Sequence, residues 1–255
     1  MTPTTTADPP AVFPELAGTR RFTSDEYRRL VDADILSPDD KVELLDGYIL
    51  LKMDHVDPPA ADGPFPEWRW LRRFSTGEYH RMIGLGIIGE DEKLELLDGY
   101  LVLKMPENLP HRASVTRLMT RLAPRLPASW LVGTQFPISL GPMDPQPDGV
   151  ILRGTDEDYD ARVPLATDLG VIIEVADSSL QLDRRAKGRL YARFSIPVYW
   201  IVNVADKQIE VYTEPDPSAA PEVYRTRTDY RPGQDVPVVL DGVAVASVPA
   251  ADLLP

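Results

Sequence analysis

The sequence predicts an α/β or α+β fold, a mixed central sheet flanked by a few helices, and three observations carry that reading. A helix-then-hairpin pattern occurs twice near the N-terminus, Asp168 to Ala176 is apolar on both faces, and helical spacing alternates with short β-like runs over the remainder. With 255 residues, 43% hydrophobic and 26% charged, the chain is long enough to bury a sizeable core without staples. Its 16 Gly and 26 Pro make turns frequent and long helices few.

The duplication comes first in chain order. Arg21 to Met53 aligns without a gap on Arg73 to Met105, a period of 52, with 17 identities over 33 positions. Each copy reads as a short amphipathic helix, Ser24 to Ala33 and Thr76 to Leu85, followed by a hairpin. The hairpins turn at Asp46-Gly47 and Asp98-Gly99, because an Asp-Gly pair between strand-like runs suits a type I′ turn. Beyond them, apolar positions at Val115, Leu118, Met119 and Leu122 predict a helix over Pro110 to Leu126. Trp130 to Leu140 and Asp148 to Leu152 read as strands, and Asp168 to Ala176 as a central, two-sided buried strand. Arg184 to Phe194 reads as the next helix. Two hairpins close the chain, turning at Val204 to Lys207 and at Asp241-Gly242.

Only the second copy continues into a larger domain. Residues 1–14 read as a disordered tail, 15–54 as an appended duplicate, 55–69 as a Pro-rich linker and 70–255 as the main domain. The first copy is expected to pack beside the second or cap an edge, since two repeats are too few for a solenoid.

Composition removes several classes of function. With no cysteine there is no disulfide framework, thiol nucleophile, zinc ribbon or iron–sulfur cluster. The N-terminus lacks a basic start followed by an apolar core, and no apolar run approaches the ~20 residues that span a bilayer, so a cytoplasmic chain with no membrane partner is expected. A net charge of −13 argues against broad nonspecific grip on nucleic acid, though not against a substrate held briefly around a bound cation.

Three features can carry chemistry. Glu174 interrupts the run Val171-Ile172-Ile173-Glu174-Val175-Ala176, and a carboxylate there needs an internal ion pair, a metal or a cleft that admits water. Asp148 heads a strand after Pro147, which alone is ordinary turn chemistry. Asp183, Lys187 and Tyr191 are spaced i, i+4, i+8 along one helical face, next in sequence to the Glu174 strand. Two carboxylates from neighbouring strands plus one lysine make a phosphodiesterase set. The carboxylates suit a hard cation, and the ammonium steadies developing negative charge. His55, His80 and His111 have no ligand spacing with one another, Ser178 and Ser179 read as helix caps, and Tyr199 and Trp200 as core.

These residues, with Gln146-Pro147-Asp148, Ile173 to Ser179, Asp183-x-x-x-Lys187-x-x-x-Tyr191-Ala192 and Ile196 to Val202, resemble the putative restriction endonuclease (Uma-type) family, a branch of the PD-(D/E)XK nucleases. Leu94 to Gly99 followed by His111 is similar to that family as well, and the resemblance covers about residues 73–255. It implies a restriction-endonuclease-like fold and a Mg²⁺- or Mn²⁺-dependent endonuclease acting on DNA, with Asp148 and Glu174 as metal ligands and Lys187 as the superfamily lysine. Ala176 stands where the E-x-K pattern has its lysine, so the lysine comes from the helix, a habit of this branch that the resemblance implies. Asp183, Gln135 and His111 are secondary candidates. No separate target-recognition domain is visible, so site specificity would call for a homodimer or a further partner. The opposing expectation is a nuclease-fold module without turnover that works through a protein partner.

Overall fold

The computed structural model describes residues 18–52, 68–89, 91–104, 108–141 and 143–255. The readings of 1–14 as a tail and 55–69 as a linker lie outside them, except at Trp68 and Arg69. The described residues form two compact units, one running up to Leu94 with Gly99–Leu103 added, the other made of Glu95–Asp98 and the residues from Lys104 onward.

The two copies build the same elements: α1 (Ser24–Asp32), β1 (Val42–Leu45) and β2 (Tyr48–Leu51), then α2 (Thr76–Gly84), β3 (Leu94–Leu97) and β4 (Tyr100–Leu103). Each helix starts in a capping box, Thr23 with Glu26 and Ser75 with Glu78, which satisfies two N-terminal donors reciprocally. Each hairpin turns through positive φ at both central residues, 47° and 82° at Asp46 and Gly47, 49° and 85° at Asp98 and Gly99. That is why Asp-Gly stands there twice.

The copies also grip each other, and the main contacts are repeated in exchanged roles. Arg20 binds Glu26 of its own helix and Glu92 beyond the other, each at 2.7 Å, while Arg72 binds Glu78 at 2.7 Å and Asp40 at 2.9 Å. The segment before each copy bridges to the hairpin of the other, Thr19 to Val102 and Leu71 to Leu50. Arg29 donates to the carbonyls of Leu85 and Gly86, and Arg81 to that of Ala33. Phe22 and Phe74 meet at 5.9 Å between ring centroids.

The second unit is built on a mixed six-stranded sheet in the order β10-β9-β8-β7-β6-β5. These strands are β5 (Trp130–Thr134), β6 (Gly149–Arg153), β7 (Leu169–Ala176), β8 (Val198–Asn203), β9 (Gln208–Asp216) and β10 (Val223–Tyr230). β7 and β8 are parallel and every other neighbouring pair is antiparallel. Helix α3 (Leu109–Arg117) continues through a π turn, Leu118–Leu122, and a 3₁₀ turn, Ala123–Arg125. Between β7 and β8 run α4 (Leu180–Leu182), a π turn (Asp183–Lys187) and α5 (Gly188–Arg193). The hairpin β11 (Asp235–Leu240) and β12 (Val243–Pro249) leads into α6 (Ala250–Leu253).

One face of the sheet presents Val171, Ile173, Val175, Trp200 and Ile209 to an apolar core completed by Leu118, Leu122, Val238 and Leu253. Gly149 permits this packing, since a Cβ there would lie 2.5 Å from Leu118 Cδ1. β7 is buried along its whole length, as its two-sided apolar pattern predicts.

Two boundaries and one strand stand apart from the sequence expectation. The strand expected over Trp130 to Leu140 stops at Thr134, because Gln135 turns the chain at φ 51° and Pro137 cannot donate to a ladder. The helix expected from Arg184 begins at Leu180. β10 was not anticipated, since its outer-edge residues are mostly exposed and polar.

Candidate active site

The sheet register sets the site. Gly149 pairs with Ile173, so Asp148, one step earlier, lies opposite Glu174, and Glu174 is in turn level with Ile201 on β8 and Glu210 on β9. Residues in register share a face, so these acidic side chains form a row on the side away from the apolar core. Gln135 extends the row through its main chain, its N–H donating to the Asp148 carbonyl at 3.1 Å, but its side chain is exposed.

The segment Leu180–Arg193 supplies the cation. Lys187 Nζ is 3.0 Å from Glu174, 3.6 Å from Glu95 and 3.7 Å from Asp183, and its side chain is only 10% exposed. Tyr191 donates its hydroxyl to Glu174 at 2.7 Å, and Ser179 donates to Asp183 at 2.5 Å. Asp148 accepts from the Val175 N–H at 2.8 Å and lies 3.1 Å from His111 Nε2. His111 reaches it from the first turn of α3, which Asn108 caps by accepting the His111 N–H at 3.0 Å. Asp148, Glu174, Lys187, Asp183 and His111 are thus brought together.

The carboxylates differ sharply in proton affinity. Burial pushes Glu174 up to about 8, against the pull of Lys187, with Asp148, Asp183 and Glu95 adding repulsion. Burial likewise lifts Asp183 to about 6, opposed by Lys187 and the Ser179 hydroxyl. At Asp148 burial also acts upward, but His111, Lys187 and the Val175 N–H together hold it below the usual carboxylate range. Lys187 is desolvated too, yet Glu174, Glu95, Asp183 and Asp148 raise it well above an ordinary lysine.

A stability test follows. A folded-state value raised from 4.5 to about 8 means that Glu174 supports the fold fully below 4.5 and loses that support as pH rises through about 8. Without divalent ions, Glu174→Gln is therefore expected to raise Tm relative to the native chain, and by more at about pH 8.5 than at about pH 5. Thermal unfolding of both proteins at the two values measures the gap; a gap independent of pH would contradict the burial cost.

The profile of the Uma2 family, described as putative restriction endonucleases, matches residues 76–245. The chain belongs to the Uma2 family. Among solved structures, the crystal structure of a putative nuclease belonging to DUF820 from Anabaena variabilis ATCC 29413 is similar, with a TM-score of 0.52 and 12% identity over 71% of this chain and 97% of that one. At that identity the likeness is one of fold, a mixed α/β architecture. No curated protein matches the chain. No described helix is long and apolar enough to cross a membrane.

The metal expected for a Uma2 member can be weighed against the donors present. Among the described residues, no three His, Asp or Glu side chains form a ready cage. Two carboxylates opposite each other on adjacent strands still suit Mg²⁺, which keeps several waters and takes one or two protein carboxylates. The donor set fits.

Glu95 was missed in the sequence. It accepts the Gln146 N–H at 3.3 Å as well as facing Lys187. Its counterpart Glu43 in the first copy is exposed, whereas Glu95 is 6% exposed, so the repeat gave identical letters to opposite environments. The usable signal was its place in Leu94 to Gly99, the segment already noted as similar to the family.

Proposed function

We propose that this Uma2 member is a metal-dependent endonuclease that hydrolyses DNA phosphodiester bonds. The observation that carries the reading is Lys187 buried among Glu174, Asp183 and Glu95, beside a strand pair that sets Asp148 opposite Glu174. Asp148 and Glu174 would hold Mg²⁺ or Mn²⁺, which when bound polarises a phosphoryl oxygen and acidifies a water.

The chain's own residues have definite tasks in this reading. Lys187 keeps its proton under the field of its carboxylates, so it serves as a charge donor to the phosphorane-like transition state rather than as a base. As a water oxygen bonds to phosphorus and passes its proton to solvent, and the bond to the leaving sugar oxygen breaks with that oxygen taking a proton from solvent, the ammonium faces the growing negative charge. Tyr191 fixes Glu174, and His111 with the Val175 N–H fixes Asp148. These are positioning roles. Asp183 orients Lys187 from one turn earlier. A local cation also answers how a chain of charge −13 approaches a polyanion.

Supercoiled plasmid tests the reading. The native protein is expected to nick or linearise it with Mg²⁺ or Mn²⁺ but not with chelator, and Asp148→Ala and Lys187→Ala to be slower by ~10²-fold or more. Equal cutting by the variants would mark a contaminant, and no cutting of DNA or RNA by the native chain would defeat the proposal. Titration calorimetry of Mg²⁺ into native and Glu174→Ala protein tests the ion site without a substrate, heat of binding being expected only for the native chain.

A further inference from the structure

We propose that the face through which the two helix-hairpin copies meet is a self-association surface that this chain has closed upon itself, the first copy filling the place of a second molecule. The observation behind this is reciprocity. When two unrelated surfaces touch, contact of residue i with j carries no implication for j with i. Here the main contacts return with the roles exchanged at the 52-residue offset: Arg20 with Glu92 and Arg72 with Asp40, Thr19 with Val102 and Leu71 with Leu50. The two phenylalanines that face each other, Phe22 and Phe74, are themselves equivalent positions, as expected on a two-fold axis. An isologous interface of this kind is what homodimers use, because one surface then complements itself.

The second copy alone carries both halves of the interface. Its Arg72 is the donor and its Glu92 the acceptor; its Leu71 segment is the added strand and its β4 the strand that receives one. Whatever the first copy offers, another second copy offers as well, with Glu92 in place of Asp40. The ion pairs are largely shielded from water, Arg20 at 4% and Arg72 at 11% side-chain exposure, so an unmatched partner would leave a half-buried guanidinium without its carboxylates. The surface therefore selects another helix-hairpin of this sequence type, and in this chain it is already taken.

Two experiments on the 255-residue chain test this. The chain has no cysteine, so Thr19→Cys with Val102→Cys places one thiol pair across an antiparallel bridge, a separation that a disulfide spans. Oxidation is expected to give a cross-linked species with the mass of one chain, 28.4 kDa. Cross-linked dimers would show the first copy docking on another molecule and overturn the proposal. The second experiment uncovers one copy at a time. Arg20→Glu with Arg29→Glu damages only the first copy and leaves the second copy's surface complete but uncovered, so light scattering should show the mass doubling as concentration rises. Arg72→Glu with Arg81→Glu uncovers the first copy, which carries the same donor and acceptor in Arg20 and Asp40 and should pair likewise, whereas replacing all four arginines should leave single chains. The milder Arg29→Ala, whose side chain is on the surface, guards against misfolding and should shift mass in the same direction at higher concentration. Single chains in both double variants, or pairing that persists when all four arginines are replaced, would refute self-association.

Discussion

Lys187→Met is expected to cost the fold several kcal/mol before any cleavage is measured. Lys187 is the cation that faces Glu174, Glu95 and Asp183, and methionine has similar length and no charge. Removing one partner from a buried ionic cluster costs about 3–5 kcal/mol, since the remaining charges keep their desolvation penalty. For a chain of this length that lowers Tm by roughly 10 °C. The loss should shrink toward acid pH, because Glu174 and Asp183, already lifted to about 8 and about 6, take up protons and cease to repel. Thermal unfolding of native and variant protein across that range measures it. A small, pH-independent change would mean that the cluster is not buried as described.

A comparable loss is expected for Glu210→Ala, at the far end of the same row. Its side chain is fully buried and accepts from Arg184 at 2.6 and 3.0 Å, Asn203 at 2.8 Å, Tyr212 at 2.8 Å and Gln208 at 3.2 Å. Burial alone would raise its proton affinity, but these donors, Arg184 foremost, hold it down to about 2. Alanine would leave Arg184, Arg227 and three polar side chains without their common acceptor, a cost of about 3–5 kcal/mol. A depressed value contributes stability that is complete above 4.5 and lost as pH falls through about 2, so the gap between native and variant should narrow from neutral pH to about pH 3. Urea unfolding at both values checks this. Because Arg184 lies in the same π turn as Lys187, a fall in plasmid cleavage should accompany the loss of stability.

Much of this was legible because local chemistry and global fold agree. The two Asp-Gly turns and the two-sided apolar strand state their structure within a few residues. Glu174 was readable for the opposite reason, as a charge where the strand pattern forbids one. Glu210 broke the pattern in the same way, between Ile209 and Val211, yet it was passed over in a segment read simply as a hairpin. The π turn at Asp183–Lys187 was not legible, because one extra residue in a helical turn leaves the polar spacing nearly unchanged. Glu95 and His111 depend on long-range packing, Glu95 being 92 positions from the lysine it faces, and no window of sequence contains that relation.

The twofold pairing of the repeats has a kinetic and stoichiometric side. Two separate molecules would part on dilution, but halves tethered in one polypeptide face each other at an effective concentration on the order of millimolar, whatever the abundance of the protein. They are also translated in equal number, so neither half ever awaits its mate.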